Sequence, residues 1–209
     1  IRSCLVGSEM CIRDSLTNPE ARYELVKTMR ASILVMGPLL AKYGRAKISQ
    51  PGGCNIGTRP IDFHLSGLEQ MGAEIKIDSK FIYLEAKKLR PIDFSFPKIS
   101  VTGTENLIMA AIFTPGVTNL KNCAKEPEVV DLINFLNSCG AKIEGAGTSN
   151  ISITGVEDLV GGDWNILPDR IEAGTYLVAG AITNGHVRIN NISDNLIPVS
   201  YTHLTLPTS

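Results

Sequence analysis

Three short segments recur along the chain at nearly constant spacing, and this recurrence limits the possible folds more than any other feature. GRAKI at 44–48, GVTNL at 116–120 and GHVRI at 185–189 each follow an apolar helical run and open a short alternating strand. Their leading glycines, Gly44, Gly116 and Gly185, are separated by 72 and 69 residues. Such a period means one supersecondary unit used repeatedly, each copy needing its neighbours to bury its apolar face. A second pair agrees: LEQMGAEI at 68–75 matches LNSCGAKI at 136–143, an offset of 68. In both, a helix ends on glycine and hands over to a strand, at 74–77 and at 142–144.

Between these marks the spacing predicts a helix over 25–43 that stops at Gly44, with Pro38 as a kink. Thr104 is expected to cap a helix running to Pro115-Gly116, and Asp169 to cap one running to Asn184-Gly185. Strands are expected at 81–86 and 150–154. The unit reads as helix, strand, helix, strand, strand. Alternation of this kind, taken alone, suggests a doubly wound parallel sheet.

The chain has 209 residues, 44% apolar and 20% charged, enough to bury a full core. A formal net charge of -1 gives no general electrostatic attraction to nucleic acid or anionic membrane. No stretch approaches the ~20 apolar residues that span a bilayer and no signal peptide opens the chain, so a cytoplasmic location is expected. The five cysteines, Cys4, Cys11, Cys54, Cys123 and Cys139, lack a Cys-x-x-Cys spacing and suit reduced thiols rather than disulfides or a metal site. Cys123 and Cys139 fall in apolar repeat positions and are expected to be buried and inert. Residues 1–15 and 199–209 (VSYTHLTLPTS) continue no period and resemble translated sequencing-adapter read-through, so neither is expected to belong to the fold.

Chemistry concentrates at 51–64, PGGCNIGTRPIDFH. Three glycines around Cys54 let the backbone approach a ligand closely, and Arg59 follows with a forked guanidinium. Arg59 and the start of a helix after Pro60 would both favour the Cys54 thiolate. Locally the string reads equally well as a glycine-rich turn that happens to carry a cysteine. His64 reads as a structural group rather than an acid or base. Glu126, Glu128 and Asp131 read as a solvated helix start, and Asp169 and Glu172 as a cap and a first-turn acid.

The loop resembles the active-site loop of the UDP-N-acetylglucosamine enolpyruvyl transferases, within the EPSP synthase family. Four further blocks carry the resemblance in order: LVKTMRAS at 25–32, GLEQMGA at 67–73, KEPEVVD at 125–131 and LPDRIEAGT at 167–175. It implies an α/β fold of inside-out barrels, with repeated helix-strand units whose helices are buried and whose sheets lie outside. Residues 16–165 would form most of the nucleotide-sugar domain and 166–198 the start of a second domain, the rest of which is missing. The apolar run at 173–182 is compatible with a buried helix.

The resemblance also implies the substrates, phosphoenolpyruvate and UDP-N-acetylglucosamine, with no cofactor and no metal. Cys54 matches the family's proton donor, the thiol that reacts with the epoxide fosfomycin, and Arg59 the arginine on the phosphoenolpyruvate anion. Arg30, the run Arg59, Pro60, Ile61, Asp62 and Phe63, and the segment Lys98, Ile99, Ser100 and Val101 match contacts to the nucleotide sugar. A lysine, a hydroxyl and main-chain N–H groups at a helix start suit a diphosphate. This chain has VTGT at 101–104 where many members have Val-Gly-Ala, which alters that cradle. The family's N-terminal lysine and asparagine, and its aspartate base and several arginines from the second domain, have no counterpart here. Two other readings are an enolpyruvylshikimate-phosphate synthase, which works without a loop cysteine, and a binding-only sugar-nucleotide domain.

Overall fold

A computed structural model of the chain describes residues 20–21, 30–49, 61–193 and 196, with the backbone alone at Arg30. Cys54, Arg59, Pro60 and both tails, 1–15 and 199–209, lie outside the described residues. The contacts divide the chain into two units, Ile1–Trp164 and Asn165–Ser209.

The first unit begins with β1 (Glu20–Ala21), a 3-10 turn (Arg30–Val35), α1 (Met36–Tyr43), β2 (Arg45–Ser49), α2 (Asp62–Gln70), β3 (Glu74–Ile77) and β4 (Phe81–Glu85). The series then repeats as β5 (Asp93–Ser95), α3 (Val101–Ala111), β6 (Val117–Lys121), α4 (Pro127–Ser138), β7 (Lys142–Glu144) and β8 (Asn150–Thr154). The two copies give two four-stranded sheets of the same order, β1-β2-β4-β3 and β5-β6-β8-β7. In each, the first pair is parallel and the other two are antiparallel. Both sheets are therefore mixed, unlike the doubly wound parallel sheet that alternation alone suggests. The hairpin return in each repeat is too short for the crossover that a parallel pair needs, so β3–β4 and β7–β8 pair antiparallel.

Alternation along the strands decides which face is covered. Ala46 and Ile48 lie opposite Leu84 and Ile82, and all four are buried. Leu120 lies opposite Ile151 in the second sheet, again buried. The helices fill the interior. α3 packs against α1, α2, α4 and the 3-10 turn, and its Leu107, Ile108 and Ala110 are wholly inaccessible. A helix buried on so much of its circumference belongs to the core rather than to a surface. Helices inside and sheets outside give the inverted arrangement that the resemblance implies.

Several local expectations are corrected. Of the predicted helix over 25–43, residues 30–43 are a 3-10 turn followed by α1, with Pro38 in the first helical turn rather than at a mid-helix kink, and 25–29 lie outside the described residues. Proline has no N–H to donate to a carbonyl one turn back, so it sits where that donor would lack a helical partner anyway. α1 does end at Gly44, whose φ of 70° is a left-handed cap available to glycine at little cost. α3 is capped by Ser100, with Oγ accepting from the Gly103 N–H at 3.1 Å, and not by Thr104. Thr104 lies inside that helix, where its Oγ1 accepts from the Ala124 N–H.

The second unit contains one described helix, α5 (Arg170–Ile182), capped by Asp169, whose carboxylate accepts from the N–H groups of Ile171 and Glu172. Residues 185–189 form no strand. In the first two repeats the corresponding strand pairs with the end of a hairpin, and among the described residues after Ile182 there is no strand to receive it. α5 is also more exposed than its composition suggests: Ala173 and Gly180 are buried, whereas Ile171, Tyr176, Val178 and Ile182 face solvent, the last at 77%.

Candidate functional site

Three segments far apart in sequence are tied together along α3, through Thr102 in its first turn and Asn106 in its middle. The first is the 3-10 turn that starts at Arg30, the second is the start of α2 at Asp62, and the third is Ser100-Val101. Capping positions the last of these. Ser100 is extended (φ -140°, ψ 115°), and its oxygen accepts from Gly103 while its carbonyl accepts from the Thr104 N–H. The N–H groups of Val101 and Thr102 are left without a partner inside the helix, and the Ser100 hydroxyl proton remains available to donate. Positive helix-dipole charge gathers at this end, and a negatively charged group is favoured there. Lys98 and Ile99 are exposed beside it, while Ser100 and Val101 are half-buried.

α2 starts without a side-chain cap, its first turn closed by the Ile61 carbonyl accepting from His64 and Leu65. Asp62 is exposed, and Ile61 and Phe63 are half-buried. His64 is 3% exposed and lies in a polar network within the core. Its Nδ1 is 2.8 Å from Asn106 Nδ2, and its Nε2 is 3.2 Å from Thr102 Oγ1. Asn106 is wholly buried; its Oδ1 accepts from the Gly37 N–H at 2.7 Å, and Nδ2 also donates to the Ile33 carbonyl at 3.3 Å. Because Gly37 N–H can only donate, Asn106 must turn its oxygen to Gly37 and its NH₂ to Ile33 and His64. Nδ1 of His64 is then the acceptor, and the ring proton sits on Nε2, directed at Thr102. The structure thus assigns His64 a neutral tautomer and a bridging role, in keeping with a structural histidine.

The expectation of a solvated helix start at 126–131 is corrected. Glu126, Glu128 and Asp131 are half-buried, and Asp131 accepts from the Trp164 indole N–H at 3.2 Å. Glu105 on α3 joins this acidic group. Burial, reinforced by the charges of Glu128 and Glu126, raises its carboxyl from 4.5 to about 7. Cys123 and Cys139 are buried as expected, and burial pushes the Cys123 thiol up to about 11, which disfavours the reactive thiolate. No cluster of metal-ligating side chains occurs among the described residues.

Of the predicted site residues, Ile61, Asp62, Phe63, Lys98, Ile99, Ser100 and Val101 are described, and Arg30 by its backbone. The structure links the segments bearing Arg30, Asp62 and Ser100 through Asn106, His64 and Thr102; Cys54, Arg59 and Pro60 lie outside the described residues. Sequence reasoning missed Asn106 and Thr102 as organisers of that junction. The available signal was an asparagine inside the otherwise apolar face of a predicted core helix. Two open grooves, of 340 Å³ beside Asp93, Lys121 and Glu144 and of 570 Å³ beside Arg45, Glu74 and Lys87, contain none of the predicted residues.

Comparison with known proteins gives a consistent result. The family model for EPSP synthase (3-phosphoshikimate 1-carboxyvinyltransferase) matches residues 6–204. A UDP-N-acetylglucosamine 1-carboxyvinyltransferase from Ruthia magnifica is 58% identical over 178 residues, covering 85% of this chain and 42% of its own. Its counterpart from Koribacter versatilis is 56% identical over 182 residues, covering 87% and 42%. The chain thus spans about two-fifths of the length of these relatives. Among solved structures, the enolpyruvyl transferase NikO from Streptomyces tendae superposes with a TM-score of 0.58 at 24% identity, over 70% of this chain and 36% of that one. An EPSP synthase from Acinetobacter baumannii gives 0.57 at 21%, over 73% and 34%. At these identities the two structures establish a shared fold.

Proposed function

The chain belongs to the EPSP synthase (3-phosphoshikimate 1-carboxyvinyltransferase) family, and from that premise we propose that the whole protein transfers the enolpyruvyl group of phosphoenolpyruvate to the 3-hydroxyl of UDP-N-acetylglucosamine. This is the first committed step of peptidoglycan synthesis and hence of cell-wall biogenesis. One observation carries the reading: the turn from Arg30, the start of α2 and the capped start of α3 converge through His64 and Asn106. These are the segments that match nucleotide-sugar contacts. Relatives at 56–58% identity bear the corresponding name, which supports the choice of acceptor.

In this reading the sugar 3-hydroxyl oxygen bonds to C2 of phosphoenolpyruvate while its proton passes to a base supplied outside this chain. C3 accepts a proton from Cys54. Loss of phosphate from C2 and of a proton from C3 then leaves the enolpyruvyl ether. Arg59 holds the phosphoenolpyruvate anion through charge-assisted bonds. Ser100 and the N–H groups of Val101 and Thr102 hold the diphosphate, with Lys98 adding charge. Asp62 and Phe63 border the nucleoside. Exclusion of water from the site would strengthen each of these charge-assisted contacts. Residues 16–165 form the nucleotide-sugar domain and 166–198 open a second one, a division supported by the separation of contacts after Trp164. The chain by itself, without the second domain, is then close to inactive. A cytoplasmic location follows from the two substrates, both intracellular phosphate esters.

The test uses the protein completed to its relatives' length from its source genome. With UDP-N-acetylglucosamine and phosphoenolpyruvate it should release phosphate and form the enolpyruvyl ether, while shikimate 3-phosphate yields none. Fosfomycin should add to Cys54, and Cys54→Ser should abolish both the adduct and most turnover, whereas Cys54→Asp keeps a proton donor and measurable activity. Turnover of shikimate 3-phosphate in place of the sugar nucleotide, or binding of the sugar nucleotide without turnover, would overturn the proposal. Full activity in Cys54→Ser would remove that residue from the mechanism.

A further inference from the structure

α1 begins without a cap of its own: Val35 precedes it and supplies no side-chain hydrogen bond. The Gly37 N–H, one of the donors that a helix start leaves unsatisfied, is instead taken by Asn106 Oδ1 from the middle of α3. A Cβ on Gly37 would collide with both the carbonyl and the side-chain oxygen of Asn106, so α1 and α3 touch here at backbone distance. The same amide donates to the Ile33 carbonyl in the 3-10 turn and to His64 Nδ1 in α2, and His64 in turn donates from Nε2 to Thr102. One buried side chain therefore binds three other elements directly and, through His64, the first turn of its own helix.

The placement of these bonds relative to the site segments is regular. Ile33 is three residues beyond Arg30, His64 two beyond Asp62, and Thr102 two beyond Ser100. Each bond fixes its element within two or three residues of a position that matches a nucleotide-sugar contact. A buried network of this kind, with the amide satisfied on both sides, admits one arrangement, because any rotation leaves a buried donor or acceptor unpaired.

We propose that Asn106 is a positioning residue for nucleotide-sugar recognition, holding the Arg30 turn, the α2 start and the α3 start in one register through its amide and through His64. This rests on the functional reading above and adds to it a residue that does not touch substrate.

The experiment uses the completed full-length protein. Asn106→Ala and His64→Gln should each raise the KM for UDP-N-acetylglucosamine about tenfold or more, with the KM for phosphoenolpyruvate changed less than about threefold. His64→Asn places an acceptor near the position of Nδ1, restores the bond to Asn106, and should recover most of that loss; Gln reaches the Nε2 position instead and does not. Thr102→Val provides a milder variant should the others fail to fold, with the same direction of change. Independently of any variant, a long-range nitrogen–proton NMR spectrum should show His64 protonated at Nε2 alone. Equal movement of both KM values, a lowered thermal midpoint with unchanged KM values, no difference between His64→Asn and His64→Gln, or a proton on Nδ1 would each overturn the inference. A wild-type protein that forms no enolpyruvyl ether would instead overturn the functional reading, and the inference would fall with it.

Discussion

Glu105→Gln should make the chain more stable at alkaline pH and change it little at acid pH. Glu105 lies on α3 facing Glu126 and Glu128, and its carboxyl is raised from 4.5 to about 7, first by burial and then by those two charges. The folded chain holds this proton more tightly than the unfolded chain does. The contribution favours folding fully below about pH 4.5 and is lost as the pH rises through about 7. At about 1.36 kcal/mol for each tenfold change in proton affinity, the ceiling is about 3.4 kcal/mol. Glu105 is half-buried, and solvent screening reduces the expected effect to about 1–2 kcal/mol. Urea unfolding of both chains at pH 5 and pH 8.5 measures it: the stability of the glutamine variant relative to wild type should rise by that amount between the two values. Carbon-detected NMR titration of Glu105 gives the same quantity directly, and Glu128→Gln should lower the midpoint. A stability difference independent of pH, or a Glu105 midpoint near 4.5, would refute the acidic junction.

Gly37→Ala forces a methyl group into Asn106 and should destabilise the chain by about 1–3 kcal/mol, read as a lowered midpoint in urea. Ser100→Ala removes the cap of α3 and should cost about 1 kcal/mol of stability in the same assay, with weaker binding of UDP-N-acetylglucosamine by calorimetry. Arg30→Ala and Lys98→Ala should each weaken that binding by about 1–3 kcal/mol, and unchanged affinity in both would move the nucleotide site elsewhere.

The repeat was legible because it is written in local chemistry. Gly44 stops one helix, Asp169 caps another, the strands at 74–77 and 150–154 carry their own alternation, and the strand at 142–144 follows from the match of 136–143 to 68–75. The edge strands β1 and β5 were not legible, since two or three residues are too few to show a period and their pairing is parallel and non-local. The choice of Ser100 over Thr104 as cap depended on where α3 begins, and both residues are equally good caps by type. α5 reads as a core helix from composition, but burial depends on what surrounds a helix, and among the described residues of its own unit little does so. At the site, the segments matching nucleotide-sugar contacts could be named from sequence. That Asn106 joins them could not, because its partners Gly37 and Ile33 are 69 and 73 positions away.

That separation bears on how the chain folds. The two repeats have the same sheet order and could pass for modules that fold one after the other, as solenoid units do. Yet the first helix of the first repeat has its N–H capped by a side chain of the second, so neither copy is complete when isolated. Residues 20–86 expressed alone would leave Gly37 and Ile33 to water and His64 without its amide partner. The first copy must therefore wait for α3 to emerge and dock, a closure over about seventy residues whose entropy is met before the contact forms. Folding should accordingly be a single concerted event across both repeats, with amide exchange at Gly37 and at the buried turns of α3 reporting the same opening free energy.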